Sequence, residues 1–116
     1  MAKIKVYVAG PYRKPDPCAN THKTVCMANH LSSLGYVPYV PHLTLLWNTI
    51  TPKPEEWWLQ YDLEWLSVCD VMLRLPGESA GADGEAQFAN DQGIPVLYSV
   101  EDLVDQYPPT LNGRDI

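Results

Sequence analysis

Asp70-Val-Met-Leu-Arg-Leu75, a Pro-Gly-Glu connection, then Ser79-Ala-Gly-Ala-Asp-Gly-Glu85-Ala-Gln-Phe-Ala-Asn90 is the stretch on which the fold turns. An apolar run, a glycine-bounded turn and a helical pattern read as strand, tight turn and helix. The helix is predicted over roughly Ala82 to Gln92, with Gly93 as its stop. Glu85 then falls in the first turn, where unpaired N–H groups and the positive dipole end favour a carboxylate. It is expected to stay ionised near neutral pH, as a nucleophile or charge stabiliser rather than a general acid. The same amide-rich turn suits a phosphate. The plainer alternative is that Glu85 only complements the dipole, as first-turn acids often do.

Working outward, Ile4 to Ala9 is β-branched, ends at Gly10-Pro11 and reads as the first strand. Asp16-Pro17 is an N-cap followed by a first-turn proline, which opens a helix to about Leu34 with Gly35 as its stop. Tyr36 to Val40 is the second strand, weakened by Pro38. Pro41 to Lys53 is an irregular loop or short helix carrying His42 and Trp47, and Pro54 to Val68 is a second long helix. Ile94 to Tyr98 is the fourth strand and Val100 to Gln106 a short last helix, with a polar tail from Pro108-Pro109. Four strands alternating with helices predict an α/β, three-layer, flavodoxin-like (Rossmann-like) fold. Its parallel sheet of four or five strands carries helices on both faces. At 116 residues, the stretch 1–116 reads as one domain. Ligands of such sheets bind beyond the carboxyl ends of the strands. That edge gathers the Gly10–Asp16 loop, the loop from Pro41 and the Ser79–Glu85 turn.

The 54–68 helix carries a second carboxylate in an unexpected place. On a helix, neighbours are three and four positions apart. Those of Asp62 are Trp58, Leu59, Trp65 and Leu66, whereas Glu56, Gln60, Glu64 and Ser67 form a solvated stripe. A buried, unpaired carboxylate is costly, so Asp62 needs either a function or a partner such as Arg13 or Arg74. Desolvation would raise its pKa, as a general acid needs. Asp62 and Glu85 then form a pair in contrasting environments, the arrangement used at glycosidic bonds.

The formal net charge of −6 argues against a nucleic-acid polymer or an anionic membrane as partner, though a local pocket can still take a small anion. The three cysteines (Cys18, Cys26, Cys69) are odd in number and form no Cys-x-x-Cys pair, which fits a reducing, cytoplasmic setting. No apolar run approaches the ~20 residues that span a bilayer, and no signal peptide is read at the start. Cys18, His22, Cys26 and His30 recur every fourth residue, but such a row drifts around a helix and cannot surround one ion, so no metal is expected. No cofactor is implied. Trp58 and Trp65 read as core or pocket wall, and Trp47 or Trp57 as a contact for a flat base.

These residues resemble the nucleoside 2′-deoxyribosyltransferase-like superfamily, with the nearest functional likeness to its 2′-deoxynucleoside 5′-phosphate N-hydrolase branch. Lys5-Val-Tyr-Val-Ala-Gly-Pro11 is similar to the family's opening strand, with Tyr7 on its tyrosine. Asp62-Leu-Glu-Trp-Leu66 followed by Cys69-Asp-Val71 resembles the aspartate-bearing helix and the strand after it. Ser79 to Glu85 resembles the loop that ends in the catalytic glutamate, and Ala89 and Gly93-Ile-Pro-Val96 fit the family's next helix and strand. The resemblance implies that Glu85 attacks the anomeric carbon, Asp62 handles the proton of the base and Tyr7 orients Glu85. It implies a 5′-phosphate held by Arg13 and Ser79, with Gly10, Tyr12, His42, Gly81 and Asp83 around the substrate. The sequence departs from the pattern at Asp83, where the family has glycine, and at Pro11, where the hydrolases have serine. The expected partner is a nucleotide or nucleoside, acted on by a homodimer whose shared residue would lie near Ser99. Base exchange by a transferase and a nucleotide-binding module without turnover are the alternatives.

Overall fold

The structure, a computed structural model, describes residues 3–109. The polar tail expected from Pro108-Pro109 lies outside them beyond those two prolines. The elements run β1 (Lys5–Ala9), α1 (Pro17–Leu34), β2 (Val37–Tyr39), a 3-10 turn (Pro41–Thr44), α2 (Leu45–Ile50), α3 (Glu55–Leu66), β3 (Val71–Arg74), α4 (Ala80–Asp91), β4 (Val96–Leu97) and α5 (Val100–Gln106). All pairings are parallel and the strand order is β2-β1-β3-β4. The α/β fold is the one the alternation predicts. The chain leaves β1 in one direction to form β2 and returns across it to form β3. The switch point, and with it the expected crevice, therefore lies between the carboxyl ends of β1 and β3.

Side chains on a strand alternate between faces, and the two cores follow that alternation. Val6 and Val8 of β1 with Val71 and Leu73 of β3 pack against Leu31 of α1 and Leu103 of α5. Tyr7 and Ala9 with Met72 pack against Leu66 of α3 and Ala82, Ala86 and Ala89 of α4. Tyr7 pairs in register with Met72, and Ala9 with Arg74. Arg74 thus points to the same face as Tyr7.

Helix boundaries follow local chemistry. Asp16 caps α1 by accepting from the Ala19 amide at 2.7 Å, and Gly35 closes it at φ 108°. The α4 boundary differs from the sequence reading. Ser79 is its N-cap, accepting from the Ala82 amide at 3.0 Å, so the helix begins at Ala80 rather than Ala82. Glu85 therefore lies in the second turn, and Asp83 is the acid of the first. The segment predicted as loop or short helix is a 3-10 turn followed by α2, whose residues are all at least partly exposed. No helix among the described residues is long and apolar enough to cross a membrane.

Candidate active site

Tyr7 rises from the middle of β1 and is fully buried. Its hydroxyl donates to Oε2 of Glu85, which α4 brings over the sheet and which is only 8% exposed. Burial pushes Glu85 up to about 7, opposed by the Tyr7 hydrogen bond and the Arg74 guanidinium. The sequence reading predicts instead that the helix dipole lowers Glu85. One turn further along and buried, it lies beyond the first-turn reach of that effect. The Tyr7 phenol is itself held well above its ordinary value by burial and by the neighbouring Glu85 and Asp62, so it stays a donor.

Asp62 of α3 faces the same place. Burial, then the Glu85 charge, raise it to about 7. Its Oδ1 is shielded from solvent and has no hydrogen-bond partner. Neither arginine considered for it pairs with it. Arg13 meets Glu55 at 3.1 Å on the exposed surface, and Arg74 meets Asp83 at 2.9 Å. The surroundings of Asp62 also differ from the expected apolar stripe. Leu59 and Trp65 are largely exposed, and Leu66 alone on α3 is fully buried. Tyr39 lies near enough to feel the Asp62 charge, and it belongs to a wall of aromatic rings. Tyr39 packs on Tyr7 with ring centroids 5.6 Å apart and stacks on Trp65 at the same distance. Trp57 stacks on Tyr61, and Trp47 meets Trp57, Trp58 and Tyr61 edge-on.

The first loop is tied down from two sides. Asn20 of α1, buried, donates to the Tyr12 and Lys14 carbonyls at 2.9 Å. The buried His42 ring bonds the Pro11 carbonyl at 2.8 Å through Nε2, so that nitrogen carries the proton. Its Nδ1 has no partner, and burial lowers its pKa, which keeps the ring neutral. Tyr12 meets the His42 ring edge-on. Gly10 lies where a β-carbon would come within 3.2 Å of that of Leu75, so the β1 and β3 exits run side by side. At Gly81 an added β-carbon would meet only Ser79 Oγ, at 4.0 Å, so the turn backbone is approachable.

The structure thus brings Tyr7, Asp62 and Glu85 together, with Ser79, Gly81 and Asp83 at the start of the same α4. Tyr12 and His42 meet each other at the β1 exit beside Gly10, while Arg13 extends outward to Glu55. Ser99 caps α5 by accepting from the Asp102 amide at 3.1 Å. No group of three or more metal-ligating side chains occurs among the described residues. A cleft of about 490 Å³ lies beside the carboxylates rather than on them, between α1, β2 and the aromatic wall, with Tyr39, Trp47 and Tyr61 on its lining. Sequence reasoning missed Tyr39, which packs on Tyr7 beside the carboxylates, and Asn20 as the clamp of the first loop. It also weighed Arg74 only as an Asp62 partner.

The four-stranded parallel sheet with its flanking helices is a fold shared with deoxyribosyltransferases. A 2-desoxiribosyltransferase from Leishmania mexicana superposes with a TM-score of 0.60 at 19% identity, over 90% of this chain and 71% of that one. A 2-deoxyribosyltransferase from Bacillus psychrosaccharolyticus gives 0.53 at 20% identity, over 79% and 69%. At such identities the likeness is one of fold. By sequence, residues 4–99 match the family described as "Domain of unknown function (DUF7768)", and the chain belongs to that family. No curated protein matches it.

Proposed function

We propose that this chain is an enzyme that hydrolyses the N-glycosidic bond of (deoxy)nucleoside 5′-monophosphates. The observation that carries the reading is the unequal partnering of two carboxyls, the buried Glu85 and the half-buried Asp62 with its shielded Oδ1. Glu85 and Asp62 are both raised to about 7, so near neutrality the pair holds roughly one proton. Tyr7 and Arg74 favour the ionised form of Glu85, whereas Asp62 has no such support. The proton therefore resides on Asp62. The ionised Glu85 attacks the anomeric carbon, the C–N bond breaks, and its electron pair leaves with the base, protonated by Asp62. Asp62, now a carboxylate, takes a proton from water as that water displaces Glu85 and releases the sugar phosphate.

The phosphate preference is supported by the α4 N-terminus, by Ser79 and by Arg13 on the adjoining loop. Asp83 does not oppose it strongly, because the Arg74 guanidinium offsets its charge at 2.9 Å. The aromatic wall offers flat surface to a base. Homodimerisation belongs to the same reading, supported by the exposed Leu43, Leu46 and Ile50 around α2, which a partner would cover. A second reading, transfer of the glycosyl group to another base, is favoured by the shared fold, since both structural neighbours are named as 2-deoxyribosyltransferases.

The test is free base released from ribo- and deoxyribonucleoside 5′-monophosphates and from the parent nucleosides, with and without a second base. Release that needs Glu85 and the phosphate is the expected result. Exchange that needs a second base, with no dependence on phosphate, would replace hydrolysis by transfer. No turnover at all by the folded protein would leave a binding module and overturn both.

A further inference from the structure

Arg74 is a charged residue in an otherwise apolar strand. It ends β3, is 7% exposed, and by register projects to the face that carries Tyr7 and α4. Its guanidinium donates to the Leu75 carbonyl, to the Gly77 carbonyl at 2.9 Å and to Asp83 Oδ1 at 2.9 Å. These three acceptors span the whole connection from β3 into the first turn of α4. Gly77, held at φ 117°, lies so close under Pro11 that a β-carbon there would meet its ring at 2.7 Å. The loop that Arg74 fixes is thus also the floor of the β1 loop.

A buried guanidinium needs a counter-charge. Asp83 supplies one, but its side chain is 73% exposed and largely solvated. The other carboxylate on this face of the sheet is the buried Glu85, which forms no direct ion pair with Arg74 but whose ionised form the Arg74 charge favours. Tyr7 from β1, Tyr39 from β2, Asp62 from α3 and Asp83 on α4 complete the titratable groups around this pair.

We propose that Arg74 is a positioning residue for Glu85, fixing the turn that carries it and sharing one positive charge between Glu85 and Asp83. Asp83 thereby sets how much of that charge Glu85 receives. This inference rests on the reading of Glu85 as nucleophile, but its test does not need turnover.

The test is the titration of the Glu85 carboxyl carbon by NMR in the free protein, assigned with Glu85→Gln. Arg74→Met is expected to raise the midpoint by about one unit, the low end for loss of a nearby opposite charge. Arg74→Lys keeps the charge and is expected to stay near wild type. Asp83→Asn keeps a hydrogen-bond acceptor, removes the competitor and is expected to lower the midpoint. A purely structural Arg74 predicts similar behaviour of Met and Lys at position 74, and an Asp83 that does not compete for its charge predicts no shift in Asp83→Asn; either result overturns the proposal. Should Arg74→Met fail to fold, Asp83→Asn and Arg74→Lys decide it. Should the wild type release no base, the enzymatic reading fails while these titrations still decide the role of Arg74.

Discussion

Glu85→Gln is expected to stabilise this protein in alkali and to do so progressively less toward acid. Burial lifts the Glu85 carboxyl from 4.5 to about 7. Each unit is about 1.4 kcal/mol, so keeping this group ionised costs the folded state at most about 3.5 kcal/mol. Protein relaxation and the coupling to Asp62 bring the expected figure to about half of that. The folded carboxyl binds its proton more tightly than the unfolded one. The folded state therefore holds more protons between about 4.5 and 7, and this group's contribution to stability falls as pH rises through that window. Glutamine has no such dependence. It still accepts from the Tyr7 hydroxyl, but its buried amide adds a roughly pH-independent cost of about 1 kcal/mol. The difference between two pH values is thus the informative quantity. Urea melts of wild type and Glu85→Gln at about pH 5 and about pH 8 should show the variant gaining roughly 1–2 kcal/mol on the wild type between them. Stability curves that run parallel across this range would refute the argument that Glu85 is held ionised at the expense of the fold.

Three further outcomes are expected. Asp62→Asn should slow base release by about 10²–10⁴-fold and abolish the alkaline limb of the rate profile, which in the wild type should fall as pH rises through about 7. Persistence of that limb in the variant would assign it to another group. Ser79→Ala removes the α4 cap and should cost about 1 kcal/mol in thermal melts, with any rise in KM for monophosphates measured separately. Arg13→Ala breaks only an exposed pair with Glu55, so it should leave the melting temperature within about a degree while raising KM for monophosphates and not for nucleosides. Equal KM changes for both substrate classes would remove Arg13 from the phosphate site.

The parts of the fold legible in the sequence are those set by short-range chemistry. Asp16-Pro17 and Gly35 bound α1 because a cap acceptor, a proline without an amide and a glycine able to reach φ 108° act within one turn. The alternation of strands and helices dictated a parallel sheet, because crossovers leave helices on both faces. The start of α4 was misread because Gly81 and Gly84 weigh against helix. The Ser79 hydroxyl outweighs them by satisfying the Ala82 amide. That shift of two residues moved Glu85 out of the first turn, and burial, rather than the helix dipole, sets the direction of its pKa. Trp65, read as core or pocket wall, is less enclosed than its spacing on α3 suggests. Its ring stacks on Tyr39 of β2 rather than entering the core, and it remains about two-fifths exposed, as do Trp47 and Trp57.

Arg74 was illegible because nothing near it in sequence signals a charge site; its partners are carbonyls of a loop and an acid nine positions on. Yet it bears directly on which carboxyl is which. Two acids raised to the same range do not by themselves divide into a nucleophile and an acid. The division comes from what surrounds each. Glu85 has a phenol donating to it and a buried cation on its own face of the sheet, while Asp62 has an oxygen that meets neither protein donor nor solvent. A carboxyl with an unanswered oxygen is stabilised by taking up a proton, and one with a donor is stabilised by giving it up. On this view, Arg74→Met combined with Tyr7→Phe should move the shared proton toward Glu85. In the double variant Glu85 would then titrate above Asp62, reversing the wild-type order. If carboxyl-carbon NMR showed the order unchanged, partnering would not be what separates the two roles.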